Sequence, residues 1–545
     1  MTKFRLFVCW VLLLGAFSAI ASRAQTTPVE PPCGVVDELG YPLESIQERT
    51  IDRGFDDFGI FRTRWGGNHT GLDIGFRQAG DPVRAMARGR VTYSNIEGWD
   101  TEKGVVIIEH YFPDGSRYFS LYGHVEDGID IRLPDVGSCV EMGDIIAAVG
   151  VPSQSAPHTH FEVRNFLPDA GGPGYVDDNP LLSGWFHPLD FIHLWQIRLQ
   201  PGYLDSVTFN STPSVPPIIV DSGTEIIASD DSILAISPPN SILWRVSTDG
   251  VIDGLAALSG NRVIAHTENG QVVVLNGGRY AAVWTVDSLS ERFVVLEDET
   301  LVFVTEGGGI EAYSATGELA WEIPPPLEPD ARVLSFIGDS TQVAVSVRSG
   351  DRAYWRLVGT GGTILYEAEY ESSPLASRNR DGSWTLYDGE TISRIADGTA
   401  QRIASARVTT SRLATLITDV PGNVYLYSGD SRNTLYSWNF EGNLRWQTEL
   451  TSENDLFAPL MATDIGCVLY TLDNRGDLQV LNATNGDLIT GRSLYAGGDQ
   501  TRRPASRSLT IGVDNSVRVS AGFLTTITFD GAALAEDALT TCLLG

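Results

Sequence analysis

Arg262-Val-Ile-Ala265, a turn, Gln271-Val-Val-Val-Leu275, then Ala281-Ala-Val-Trp284 make two β-type runs followed by a third that ends on an aromatic residue. Short β-branched runs broken by turn residues predict antiparallel strands. The unit returns as Leu301-Val-Phe-Val304, Ile310-Glu-Ala-Tyr313 and Gly317-Glu-Leu-Ala-Trp321. It returns again as Val468-Leu-Tyr-Thr471, Leu478-Gln-Val-Leu481 and Gly486-Asp-Leu-Ile489. The aromatic anchors Trp244, Trp284, Trp321, Tyr366 and Trp446 recur at about 40 residues, with a double gap before Trp446 and a degraded unit around residues 384 to 407. A period near 40 built from short strands predicts four-stranded blades, because each sheet hides its faces only against its neighbours. Residues 217–545 are therefore expected to form a β-propeller of about seven or eight blades.

The recurring Gly-x-Leu-x-Trp element resembles the repeats of quinoprotein-like and WD-type propellers. No residue pattern supports a bound quinone. Before the repeats, Gln196 to Pro217 ends in Ser211-Thr-Pro-Ser-Val-Pro-Pro217 and reads as a linker over residues 196–216. Residues 31–195 have a different texture. Gly104-Val-Val-Ile-Ile-Glu-His110, Arg117-Tyr-Phe-Ser-Leu-Tyr122 and Asp144-Ile-Ile-Ala-Ala-Val149 alternate with glycine turns, so an antiparallel sheet domain with little helix is expected. The whole chain reads as all-β.

Residues 1–24 read as a cleaved signal peptide: Lys3 and Arg5, an apolar run from Leu6 to about Phe17, then small residues. That run is shorter than the ~20 residues that span hydrocarbon, and no later segment is long and apolar enough, so no transmembrane segment is expected in the mature chain. The protein is expected to be secreted or to reside in the periplasm or cell envelope. The formal net charge of −31 deepens when Lys3, Arg5 and Arg23 leave with the signal. Such a charge argues against nucleic-acid or anionic-lipid binding through bulk electrostatics. Cys33, Cys139, Cys467 and Cys542 would remain, and in an oxidising compartment pairing within each region is the simplest of three arrangements, with free buried thiols as the alternative.

Seven of the eight histidines precede residue 194, which places the chemistry in the first third. His69 and Asp73 offer an imidazole and a carboxylate across a short turn, and zinc accepts both donor types. His158 and His160 lie two apart in a β-type run and share a face, so one can bind metal while the other reaches its water. Glu162 shares that face and is a candidate partner for a ligating histidine. His110, His187 and His193 read as structural.

From Asn68 to Arg164 the chain resembles the lysostaphin-type, LytM-like zinc peptidases that cut bacterial cell walls. Besides H-x-x-x-D and H-x-H, it has Gly80-Asp-Pro-Val83, Tyr122-Gly-His124, Gly143-Asp-Ile-Ile146 and His160-Phe-Glu-Val-Arg164 in the family's order and near its spacing. The resemblance implies Zn2+ held by His69, Asp73 and His160, with His124 and His158 as catalytic histidines that do not ligate. Many members have Ser-Thr-Gly-x-His-Leu-His where this chain has Gln154-Ser-Ala-Pro-His-Thr-His160, so the cleft wall beside His158 is expected to differ. The resemblance further implies an endopeptidase acting on peptidoglycan peptides, with the propeller contacting a protein or wall partner. Two alternatives stand beside it: a non-catalytic envelope protein that binds wall peptide or regulates a hydrolase, and a protease of other secreted proteins.

Overall fold

A computed structural model describes residues 31–44, 57–167, 174–208, 214–237, 241–286, 293–326, 331–411, 413–450, 459–463, 466–473, 476–494, 507–512, 515–520 and 525–535. The signal peptide expected over residues 1–24 lies outside them, as does Cys542. The fold is all-β, an antiparallel sheet domain followed by a propeller, as the two textures of the sequence predict.

The first domain is built on Gly104–Tyr111, whose Val105 to His110 are fully or nearly fully buried. Alternation along a strand sends Val106 and Ile108 into the main core with Leu72, Tyr122 and Phe161. Val105 and Ile107 go to the opposite face with Phe119 and Leu121, where Tyr93 and Trp99 pack on them. With both faces covered, the run loses the alternating polarity of a half-exposed strand. Its neighbours are Gly89–Asn95 on one side and Arg117–Glu126 on the other. Next comes Thr159–Arg164, which also pairs with Leu72–Ile74. A separate three-stranded sheet holds Phe61–Arg62, Gly67–His69 and Tyr175–Val176. A disulfide joins Cys33 to Cys139 and ties down the amino-terminal segment, whose Val36, Leu39 and Leu43 enter the main core.

The domain ends on the helix Pro188–Arg198, capped by His187, whose ring nitrogen accepts the Asp190 N–H. Leu189, Phe191, Ile192 and Trp195 pack into the sheet domain, while Ile197 belongs to the core of the last propeller sheets.

Among the described residues the propeller has eight four-stranded antiparallel sheets. Seven are consecutive in the chain, from Ile218–Ile219 to Leu488–Ser493. The eighth takes Ser508–Ile511, Ser516–Ser520 and Thr525–Asp530 from the end of the chain and Tyr203–Thr208 from before the first sheet. This corrects the linker reading of 196–216, which contains the last helical turn and this closing strand. Tyr203 sits opposite Phe529, and the pairing covers an edge that would otherwise be left open. Glu225 of the first sheet is buried beside Arg518 and Thr526 of the eighth, so the two ends of the array meet.

The repeated glycine and aromatic residues have one physical cause. Gly317 has φ +88°, and a Cβ there would lie 2.6 Å from Cγ of Trp284 in the preceding sheet. Glycine is required because the indole lies flat on the backbone turn. Trp244 against Gly278, Trp321 against Gly362 and Trp446 against Gly486 repeat the contact. In the degraded unit the backbone carbonyl of Ile403, and no aromatic ring, faces Gly442, in keeping with the double gap between Tyr366 and Trp446.

Candidate metal centre

Strand register brings the five singled-out residues together. His160 sits directly across from Asp73 on one side and Gly123 on the other, one residue before His124. His124 is the extra residue of a bulge between Arg117–Glu126 and Gly104–Tyr111, with φ +56°. A bulge in the left-handed region re-aims a side chain that regular pleating would send elsewhere. Gly123 must be glycine for a separate reason: a Cβ there would collide with the Trp99 ring.

Three donor atoms converge. His69 Nε2 is 2.9 Å from His160 Nδ1, and Asp73 Oδ1 is 3.3 Å from each of them. His69 and His160 are almost fully buried. The outer nitrogen of each imidazole faces a carboxylate. His69 Nδ1 lies 3.2 Å from Asp57 Oδ2, and His160 Nε2 lies 2.8 Å from Glu162 Oε1. A hydrogen bond from the outer nitrogen fixes the tautomer and leaves the inner nitrogen as a lone pair. Two lone pairs and a carboxylate oxygen can then point at one another, an arrangement that suits a cation between them. The trio His69, Asp73 and His160 can hold a metal ion.

The carboxylates are themselves fixed. Glu162 is fully buried and accepts from Thr70 Oγ1 at 2.5 Å, Arg164 Nη1 at 2.9 Å and Trp185 Nε1 at 3.0 Å. Asp57 receives Arg62 Nη2 at 3.0 Å and the Asp73 N–H at 3.3 Å. Electrostatics follow from this geometry. Burial opposes charge on His69, but Asp57 and Asp73 outweigh it and raise the imidazole to about 10. Burial would raise Asp73, yet hydrogen bonds from His158, His160 and His69 hold it well below the usual carboxylate range. The site therefore presents a strong negative field to any cation.

His158 and His124 flank the trio with ring centroids 4.6 Å apart. His158 Nδ1 donates to Ala156 O at 2.7 Å and His124 Nδ1 to Glu102 O at 2.7 Å, so each turns Nε2 away from its backbone partner. His158 Nε2 is 3.4 Å from Asp73 Oδ1. Burial, reinforced by the neighbouring His158, pushes His124 down to about 3 and keeps it neutral. Phe76 stacks on His158, and the Trp99 ring meets both His124 and His160 edge-on.

The trio, both flanking histidines and Glu162, all singled out in the sequence, are brought together by the fold. The sequence did not single out Asp57, which lies outside any recognisable spacing, or Trp99, whose role depends on Gly123. His110 is placed as a structural residue, with Nδ1 donating to Arg88 O and Nε2 accepting from Ser120 Oγ, both at 2.8 Å.

Residues 67–173 match Peptidase family M23, and residues 229–367 match the outer membrane protein assembly factor BamB family. Among solved structures, BamB from Moraxella catarrhalis is similar with a TM-score of 0.44 and 14% identity, covering 61% of this chain and 98% of that one. Quinohemoprotein alcohol dehydrogenase from Comamonas testosteroni has a TM-score of 0.43 and 14% identity, covering 61% of this chain and 76% of that one. No curated protein matches the chain. The chain thus carries a peptidase-family domain followed by a propeller. Among the described residues, no helix is long and apolar enough to cross a membrane.

Proposed function

We propose that this protein is an exported zinc-dependent endopeptidase that hydrolyses peptide bonds of bacterial peptidoglycan, with the propeller serving targeting or protein contact. The observation that carries the reading is the convergence of His69 Nε2, Asp73 Oδ1 and His160 Nδ1 at 2.9 to 3.3 Å. Zinc takes imidazole nitrogen and carboxylate oxygen, so His69, Asp73 and His160 would suit it in kind. When bound, zinc supplies a Lewis acid for the peptide carbonyl and lowers the pKa of water toward neutrality.

The protein's own groups do the rest. His158, with its Nδ1 proton committed to Ala156 O, offers Nε2 to take the proton of the attacking water and then deliver it to the leaving amine. His124, held neutral and anchored to Glu102 O, offers Nε2 to orient that water. Asp57 and Glu162 hold His69 and His160 with their inner nitrogens turned to the trio. Match to a peptidase family supports hydrolysis, and the wall-directed substrate follows from the resemblance of the motifs.

Elemental analysis of the mature protein tests the assignment. One zinc per chain is expected, with sharp loss in His69→Ala, Asp73→Ala and His160→Ala. Undiminished zinc in all three variants would overturn it.

A further inference from the structure

Arg64 stands at the mouth of the site. It lies on the hairpin between Phe61–Arg62 and Gly67–His69, five residues before His69. Its Nη2 donates to Gln154 Oε1 at 2.7 Å, reaching the loop that leads into His158. The guanidinium also lies over the Trp65 ring, 4.8 Å from its centroid. Trp65 is 46% exposed and stacks on Tyr175, whose ring in turn lies 5.2 Å from that of His69. An exposed cation on an aromatic platform thus leads directly to the donor trio.

What sets Arg64 apart is an unpaired charge combined with its place beside the donor trio. Arg62, Arg84, Arg88, Lys103, Arg117, Arg132 and Arg164 of the same domain each pair with a carboxylate, whereas Arg64, Arg77, Arg90 and Arg198 do not among the described residues, and of these four only Arg64 spans from the His69 hairpin to the Gln154 loop. Among the described residues Arg64 pairs with none, and its one side-chain partner is a neutral amide. In a chain of net charge −31, Arg64 is a cation near the site that no acid neutralises. The carboxylates within, Asp57 and Asp73, are engaged by histidines and Arg62. The field of the whole chain would repel an anionic ligand, so local attraction is needed for one to bind. Guanidinium presents the fork that matches a carboxylate in two parallel hydrogen bonds, a geometry the amide of Gln154 cannot reproduce.

We infer that Arg64 and the Trp65–Tyr175 platform form a substrate subsite that reads a free carboxylate on the peptide, exchanging Gln154 for that carboxylate when substrate enters. The inference rests on the peptidase reading for its choice of peptide, and it names the class within it: acidic peptides, such as stems ending in an uncapped carboxylate.

The test is calorimetric titration of the full-length, zinc-loaded protein with a wall stem tetrapeptide carrying a free carboxyl end and with the same peptide capped as its amide. Mass spectrometry afterwards shows whether either was cut; for a cleaved peptide the ratio of kcat/KM replaces the ratio of Kd. The wild type is expected to favour the acid roughly fivefold to tenfold. Arg64→Ala should erase the preference with zinc content unchanged, and Arg64→Lys should restore part of it. Gln154→Ala, which removes the bridge but keeps the cation, should preserve it. Equal affinity for acid and amide in the wild type, or a preference that survives in Arg64→Ala, would overturn the inference. Failure of the peptidase reading shows separately, as no cleavage of any wall peptide while the two affinities remain measurable.

Discussion

The two halves of this chain use buried polar groups in opposite ways. The peptidase-family domain concentrates them: His69, His158, His160, Glu162 and Arg164 are all buried within one cluster, and their partners converge on one point. The propeller repeats one apolar contact, an aromatic residue laid on a glycine turn, along the ring. Concentrated polarity is costly unless every member is paired, so a single substitution in the first domain should abolish function. Repetition spreads stability over many equivalent contacts, so a single substitution in the propeller should lower stability by a local amount and leave chemistry alone.

The sharpest test of that contrast is the largest effect. His124→Ala and His158→Ala should keep zinc while turnover falls on the order of 100-fold or more, the range for a positioned acid or base. Steady-state rates beside metal analysis check it. Loss of zinc from His158→Ala with retention in His160→Ala would exchange their roles.

A second effect breaks the propeller at its seam rather than at a repeat. A fragment of residues 199–545 retains Tyr203–Thr208, and a fragment of residues 217–545 does not. The shorter one should melt lower by about 10 °C or more, because the edge of Thr525–Asp530 is left unpaired. Equal melting temperatures would restore the linker reading.

Protons provide a third test, within the first domain but away from the trio. Burial lowers His110 to about 4 from its ordinary 6.5. Between those values the unfolded chain binds a proton that the folded chain refuses, so stability rises with pH. The contribution is complete above 6.5 and lost as pH falls toward 4, on the order of 3 kcal/mol. Urea midpoints at pH 4.5 and 7 should differ more for the wild type than for His110→Gln.

The smallest effect compares two glycines of the propeller. Gly317→Ala meets both positive φ and the Trp284 ring and should cost about 3 kcal/mol, whereas Gly260→Ala, at φ +71° with open space, should cost about 1 kcal/mol. Peptidase activity of both should be unchanged below their melting temperatures.

These contrasts also show what was legible in the sequence. The propeller was readable because close packing of Trp on Gly forces the same residues at the same interval. Its eighth sheet was not, because Tyr203-Leu-Asp-Ser-Val-Thr208 is one short strand beside a proline-rich segment, and its partner lies more than 300 residues away. The trio and its flanking histidines were readable because imidazole and carboxylate are few and clustered. Asp57 was not, since only tertiary folding brings it to His69. The bulge that turns His124 inward leaves no mark on composition either.

Whether His69, Asp73 and His160 support zinc-dependent cleavage of wall peptides is decided by digestion of purified peptidoglycan. The mature full-length protein is incubated with it, with and without a chelator, and the released fragments are weighed. The expected result is chelator-sensitive release of fragments with new peptide amines and no new reducing sugar ends. Zinc-loaded protein that leaves walls from several bacteria intact while cutting an unrelated secreted protein, or that cuts neither, would contradict it.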